Sequence, residues 1–346
     1  MTINKTLTHW YSVNKRDLPW RRTTNPYFIW LSEIILQQTK VEQGLPYYEA
    51  FVTNFPTIFD LASANESDVL KLWQGLGYYS RARNLHATAK HIVEELDGAF
   101  PNNYKDLLKL KGVGDYTASA IASICFNEVC AVVDGNVYRS FSRYFGIATP
   151  INSSQGQKEF KALAQKLIDK DDPAEFNQAI MEFGARQCKP KNPDCTICPL
   201  QNSCVALQKN LITELPVKKK SLKPKKKHFN FLVLVSADGK TILEKREGKG
   251  IWQNLYQFPL IESNEVMDFN AMSLQLKKHD IINGASYKLS LYNEEAIIHK
   301  LSHQHLHTKF WVIEMDTLAI NGVLVSKLKD YPVPVLLSNF MENFNF

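Results

Sequence analysis

The sequence predicts two domains of different class, a helical one followed by an α+β one, and three observations carry that division. Apolar runs with helical spacing flank a Gly112-Val113-Gly114 turn in the first half of the chain. Four cysteines, Cys188, Cys195, Cys198 and Cys204, fall within 17 residues. A lysine-rich run at Lys218–Lys227 then separates this part from segments that read as strands. A length of 346 residues favours two domains over one, and 45% hydrophobic with 22% charged residues lets both bury a core. The net charge of +6 is a weak pointer to a polyanionic partner. No charged-then-apolar leader pattern is present, and the apolar stretch near 116–133 is broken by Asn127 and Glu128, so neither secretion nor membrane spanning is supported.

Taken in order, the first residues include the aromatic and basic LPWRRTTN. Asn25-Pro26 is a good helix start, with Asn25 as N-cap and Pro26 in the first turn. The following run, PYFIWLSEIILQQTKVEQ, is apolar enough to be buried over most of its surface as a helix. Glu33 lies inside it, sharing a face with Ile29, Trp30, Leu36 and Gln37. Most glutamates are surface carboxylates, but one walled by Ile and Trp should have a raised pKa, because burial disfavours the anion. At the ordinary value only about 1 in 500 such groups is protonated at pH 7, and a rise of two to three units, roughly 3–4 kcal/mol, makes a usable general acid. Gln37, Gln38 and Thr39 close the helix with groups suited either to base edges or to solvent. In WQGLGYYSRARNL, Tyr78 or Leu76 can wedge between bases while Arg81 and Arg83 meet phosphates; equally, Tyr and Leu beside a helix start are commonly core.

NNYKDLLKL then predicts a short helix leading into the glycine turn. Helix, Gly-Val-Gly turn and helix together form a unit suited to sequence-independent binding of a DNA backbone, because the free N–H groups of a helix start favour phosphate. Asp115 is expected to N-cap the second helix, an uncomfortable neighbour for a phosphate. Asp134 follows one helix later in Asp-Gly-Asn, either a plain turn or a carboxylate for chemistry.

The C-x6-C-x2-C-x5-C loop has one close cysteine pair where a zinc ribbon shows two, and four thiolates around an iron–sulfur cube fit it better. It implies a reducing compartment rather than a disulfide framework. Cys125 and Cys130 read as core thiols. Lys218–Lys227, with seven lysines in ten residues, reads as a basic tether. After it, FLVLVS, the Ala237-Asp238-Gly239 turn and TILEKRE predict a hairpin. Further strands are expected at 287–291, 296–305 and 309–315. His299, His303, His305 and His307 fit strand alternation toward a ligand groove better than a metal site.

Together these residues resemble the MutY-type adenine DNA glycosylases of the helix-hairpin-helix superfamily. The motifs that carry the resemblance are LPWR (18–21), SEIILQQT (32–39), GLGYYSRARNL (75–85), LKGVGDYTA (110–118), VDGNV (133–137) and the four-cysteine loop. GIWQNLYQFP (250–259) is similar to a Nudix segment, while the REx2EE signature is absent around 260–285. The resemblance implies a two-lobed all-α helix-hairpin-helix domain at 1–208, a linker at 209–227 and a Nudix-like recognition domain without hydrolase activity at 228–346. One lobe would span about 25–133, and the other the N-terminal segment with 134–208. The implied activity is hydrolysis of the N-glycosidic bond of adenine mispaired with 8-oxoguanine or guanine in duplex DNA, as base excision repair.

In that reading Glu33 is the general acid, Asp134 stabilises the sugar cation, and Tyr116 and Asn136 assist. Tyr116 also implies a monofunctional enzyme, because related lyases carry a lysine there and a phenol forms no imine. DNA contacts are expected from Arg21, Gln38, Thr39, Leu76, Tyr78, Arg81, Gly112, Gly114, Ser302 and His303. Leu301 stands where the family more often has Phe. Cys188, Cys195, Cys198 and Cys204 would hold a 4Fe-4S cluster. The chain is expected to be a monomer of the bacterial cytosol or nucleoid, with no membrane partner.

Overall fold

The computed structural model describes residues 2–220 and 223–346, so the linker positions Ser221 and Leu222 lie outside the described residues. The chain divides into two compact units, and the division is not a single cut. Residues up to Ser63 and from Asn84 to Lys220 form one unit; Ala64–Arg83 join Ser221–Phe346 in the other. The expected boundary at 228 falls inside a strand that begins at Lys225.

The first unit is helical: α1 (Ile3–Asn14), α2 (Pro26–Ile35), α3 (Val41–Asn54) and α4 (Ile58–Ser63) precede the excursion of α5 (Glu66–Leu72) into the second unit. Then follow α6 (Ser80–Leu96), α7 (Tyr104–Leu107), α8 (Asp115–Phe126), α9 (Gly135–Phe145), α10 (Ser154–Leu167), α11 (Pro173–Arg186) and α12 (Val205–Gln208). Asn25 caps α2 as the sequence predicts, its side chain accepting from the Tyr27 amide at 3.0 Å with Pro26 in the first turn. The helix does not run on through the QQTKVEQ residues. It ends at Ile35, because Gln38 turns the chain through the left-handed region at φ 57°, and Val41 opens a new helix. Residues of α2 are buried almost all round, as its apolar composition requires. A core of Leu7, Val137, Phe141, Phe160, Phe176, Ile180 and Phe183 joins α1, α9, α10 and α11 to Ala120 and Ala131–Val133.

In the second unit β1 (Lys225–Ser236), β2 (Lys240–Thr241), β3 (Glu244–Lys245), β4 (Tyr256–Gln257) and β5 (Leu260–Ser263) precede α13 (Phe269–Leu276). They are followed by β6 (Lys288–Leu291), β7 (Ile297–Lys300), β8 (Gln304–Met315), β9 (Val323–Leu324) and α14 (Val335–Asn343). The main sheet runs β5-β1-β8-β6, with β7 also on β8, and β1 and β8 pair in parallel over their full length, Lys225 opposite Gln304 to Ser236 opposite Met315. The expected hairpin after FLVLVS is therefore a correction. A turn is present, with Gly239 at φ 72°, but β1 is flanked by β5 and β8, and β2 pairs with β9. Ser236 Oγ accepts from the Lys240 amide at 3.2 Å and donates to the Lys240 carbonyl at 3.0 Å, which satisfies both backbone groups locally and turns the chain off the sheet.

Candidate active site and cysteine cavity

Glu33 faces inward from α2, 9% exposed. Burial pushes its carboxyl up to about 7; a hydrogen bond with Tyr116 opposes the rise, the charge of Asp134 adds to it, and Arg21 opposes it. Tyr116, at the second position of α8, sits against both carboxyl groups, which together with burial raise its own pKa. Its hydroxyl also meets Met181 Sδ at 3.2 Å. Glu33, Tyr116 and Asp134 thus come together from three helices.

Asp134 is the N-cap of α9, a built position rather than a plain turn. Its Oδ1 accepts from the amides of Asn136 at 2.9 Å and Val137 at 2.8 Å, and its Oδ2 accepts from Asn136 Nδ2 at 2.7 Å. Burial raises its pKa while these three bonds pull it down. Every partner is a donor, the arrangement a carboxylate needs. Asn136 is held in turn by Arg139, whose Nη2 donates to Asn136 Oδ1 at 2.8 Å and to the Gly184 carbonyl at 2.6 Å, while its Nε donates to the Cys188 carbonyl at 2.7 Å. Gly184 is required here, since a Cβ on it would lie 2.6 Å from that of Asn136.

No local pattern in the residues signals the neighbouring ion triad. Glu182, 1% exposed, accepts from Arg16 Nε at 2.9 Å, Arg16 Nη2 at 2.7 Å and Arg21 Nη2 at 2.8 Å. Burial opposes its ionisation, but the bonds from Arg16 and Arg21 prevail and hold it at about 2. Arg21, expected at DNA, donates here to Glu182 and the Arg16 carbonyl. The partners lie more than 160 residues apart in sequence, beyond any local pattern.

The hairpin is formed by α7, capped by Asn103, and α8. Gly112 and Gly114 are exposed at its turn, and Gly112 has φ 79°. The N-cap of α8 is Gly114, not Asp115; this corrects the expectation, since Asp115 is the first helical residue and its carboxylate takes the Tyr104 hydroxyl at 2.5 Å and Lys161 Nζ at 2.9 Å. Gln38 is exposed at its left-handed turn, and Thr39 donates to the Gln37 carbonyl at 3.3 Å.

The four loop cysteines line one cavity with Phe183, Leu200, Leu207 and Ile212, and none is in a disulfide. Arg143 Nη1 reaches Cys188 Sγ at 3.5 Å, and Ser140 Oγ, 3% exposed, has no hydrogen-bond partner among the described residues. Among the described residues no three Cys, His, Asp or Glu side chains could share one metal ion. Thiols spread around one cavity, with a spare hydroxyl and a guanidinium aimed at it, fit a polynuclear iron–sulfur group better than a single zinc. Cys125 and Cys130, outside this cavity, are partly buried thiols with pKa pushed up to about 12 and about 11.

Within the second unit, Gly75–Ser80 and Arg83 line a pocket with Ile251, Trp252 and the His299–His303 loop. Tyr78, exposed and at φ 47°, meets Ser302 Oγ through its hydroxyl at 2.5 Å. His303 lines the same pocket beside Leu301. Leu76 is 7% exposed, so of the two wedge candidates only Tyr78 stands out from the surface. Arg81 lies over the Trp73 ring at 5.0 Å and reaches the Gly77 carbonyl at 3.3 Å. Burial lowers its pKa to about 10, and the bond to Gly77 braces the glycine turn. No helix among the described residues is long and apolar enough to cross a membrane.

Residues 31–170 match the family described as HhH-GPD superfamily base excision DNA repair protein, and residues 230–343 match the NUDIX domain. The fold and the paired carboxyl groups thus sit in a helix-hairpin-helix base excision repair protein with a Nudix domain. The chain is 39% identical over 299 residues to the adenine DNA glycosylase of Buchnera aphidicola subsp. Baizongia pistaciae, covering 84% of this chain and 83% of that protein. It is 33% identical over 363 residues to that of Mus musculus, covering 90% and 70%. It belongs to the adenine DNA glycosylase family. Among solved structures, a thermostable thymine-DNA glycosylase is similar at TM-score 0.55 and 30% identity, covering 60% of this chain and 95% of that one. A trapped endonuclease III–DNA covalent intermediate shares the fold at TM-score 0.53 and 21% identity over 60% of this chain and 95% of that one.

Proposed function

We propose that this protein excises adenine mispaired with 8-oxoguanine or guanine in duplex DNA and leaves an intact abasic site. The observation that carries the reading is the Glu33 carboxyl, held near pKa 7 beside Tyr116 and Asp134. The adenine leaves the stack, at a cost of a few kcal/mol, before side chains reach it. Glu33 donates its proton to the adenine ring, the glycosidic electron pair follows, and the base departs neutral. Asp134, as the anion, stabilises the cationic sugar, and water adds to that carbon with loss of a proton. Asn136 fixes Asp134, and Tyr116 orients Glu33. Tyr116 offers no amine, so no Schiff base forms and the strand stays whole.

The hairpin at Gly112–Gly114 takes the DNA backbone, with Gln38 and Thr39 on the base side. The second unit's pocket, through Tyr78, Ser302 and His303, takes the 8-oxoguanine. Helix α13, FNAMSLQL, carries no carboxylate, which supports recognition over hydrolysis there. Cys188, Cys195, Cys198 and Cys204 would hold a 4Fe-4S cluster, which when bound supplies a covalent tie across the loop and a one-electron redox centre. Cysteines outside any disulfide suit a reducing compartment such as the bacterial cytosol or nucleoid, where the protein would act as a monomer. The test is base release from duplexes that vary the base opposite adenine, with strand integrity read without heat or alkali. Adenine release opposite 8-oxoguanine with an intact strand is expected; thymine release from a T·G duplex, or prompt strand cleavage, would refute the reading.

A further inference from the structure

We infer that Lys161 is a positioning residue for DNA binding: it holds and neutralises the Asp115 carboxylate so that a phosphate can approach the hairpin turn. This rests on the reading of that turn as the backbone clamp. Asp115 directly follows Gly114, and the start of α8 has no side-chain cap. A carboxylate there suits the helix dipole but repels a phosphate at the same N–H groups. Lys161 answers it from α10. Its Nζ donates to Asp115 Oδ2 at 2.9 Å, to Ser119 Oγ at 2.9 Å and to the Ala131 carbonyl at 2.8 Å, which uses all three ammonium protons. The same ammonium lies 5.5 Å from the Tyr104 ring centre, and the Tyr104 hydroxyl donates to Asp115 Oδ1 at 2.5 Å. Both carboxylate oxygens are therefore occupied. The ammonium is fixed by three acceptors at 29% side-chain exposure, whereas Lys109 in the surface pair with Asp106 is 78% exposed; the two carboxylates, at 51% and 46%, are alike in exposure.

The experiment uses the full chain and a fluorescein-labelled duplex holding 2′-fluoro-2′-deoxyadenosine, which resists hydrolysis, opposite 8-oxoguanine. Lys161→Met should raise Kd about three- to tenfold at low salt, the effect of one uncompensated charge a few ångströms from a phosphate. The effect should shrink as salt rises. The single-turnover excision rate at saturating enzyme should hold, and Asp115→Asn combined with Lys161→Met should return Kd to within about twofold of the parent. Lys166→Met, which removes the same charge from an exposed position of α10, should change Kd by less than about twofold. The inference is overturned if Lys161→Met binds like the parent, or if the double variant stays as weak as the single one, which would make Lys161 a packing strut. An equal loss in Lys166→Met would also overturn it, as an effect of net charge. Salt-independent duplex binding by the unaltered protein would instead remove the clamp reading, and this inference with it.

Discussion

Replacing Glu33 with Gln should abolish excision and yet stabilise the protein above neutral pH. A carboxyl moved from its ordinary 4.5 to about 7 binds its proton more tightly folded than unfolded. Between those values the folded chain carries more protons, so stability falls as pH rises from about 4.5 to 7, and the full penalty applies beyond. The displacement of about 2.5 units corresponds to about 3 kcal/mol at 1.36 kcal/mol per unit. Glutamine is isosteric, still accepts the Tyr116 bond and never ionises. Glu33→Gln should therefore gain about 3 kcal/mol at pH 8 and little at pH 4.5. At about 2–4 °C per kcal/mol for a unit of this size, the midpoint at pH 8 should rise by about 6–12 °C. Thermal melts of both proteins across that range are the assay. In the unaltered enzyme the single-turnover rate should also fall about tenfold per pH unit above 7, because only the protonated acid donates. A variant less stable than the parent at pH 8, or a gain that persists at pH 4.5, would refute the burial argument.

Three further outcomes follow from the geometry. Asp134→Asn should abolish turnover while duplex binding by anisotropy survives, since the amide oxygen can still cap Asn136 and Val137 but carries no charge. Glu182→Gln should cost about 1.5–3 kcal/mol at pH 7 in denaturant melts, because Arg16 and Arg21, 28% and 14% exposed, lose their charge-assisted bonds to the buried carboxylate. Glu182 is held at about 2, below its ordinary value, so its contribution is present above about 4.5 and is lost as pH falls toward 2. Ser302→Ala, which removes the Tyr78 contact, should lower the preference for 8-oxoguanine over guanine about three- to tenfold in Kd, with the saturating excision rate kept.

What could be read from the residues was local or carried by spacing. Asn25-Pro26 announced a helix start, the apolar surroundings of Glu33 announced its raised pKa, and the cysteine spacing announced that the four thiols belong together. The misreadings arose where side chains compete with the backbone. Ser236 took up the Lys240 backbone and undid the expected hairpin, and Gln38 ended a helix that composition alone would have carried to Gln43. The Arg16–Arg21–Glu182 triad, the Lys161–Asp115 pair and the Arg139 link from Asn136 to Cys188 were invisible for another reason. They join polar and charged groups far apart in the chain, where no periodicity brings partners together. The departure at Asp115 was visible, but the lysine that answers it was not.

The parallel pairing of β1 with β8 sets a timetable for synthesis. Lys225 meets Gln304, so the central ladder of the second unit cannot close until residues 304–315 have left the ribosome. Ala64–Arg83 belong to that unit and bind it through Tyr78–Ser302, Lys71–Tyr331 and Arg83–Gln253, so this early segment waits for partners that emerge last. At about 5–20 residues per second the delay is on the order of 10–50 s. Throughout it the nascent chain must keep Tyr79 and Trp73, both buried in the finished protein, out of the wrong contacts. A truncation before Gln304, which removes β8 and Tyr331, should thus disturb folding of Ala64–Arg83, a segment made more than 200 residues earlier.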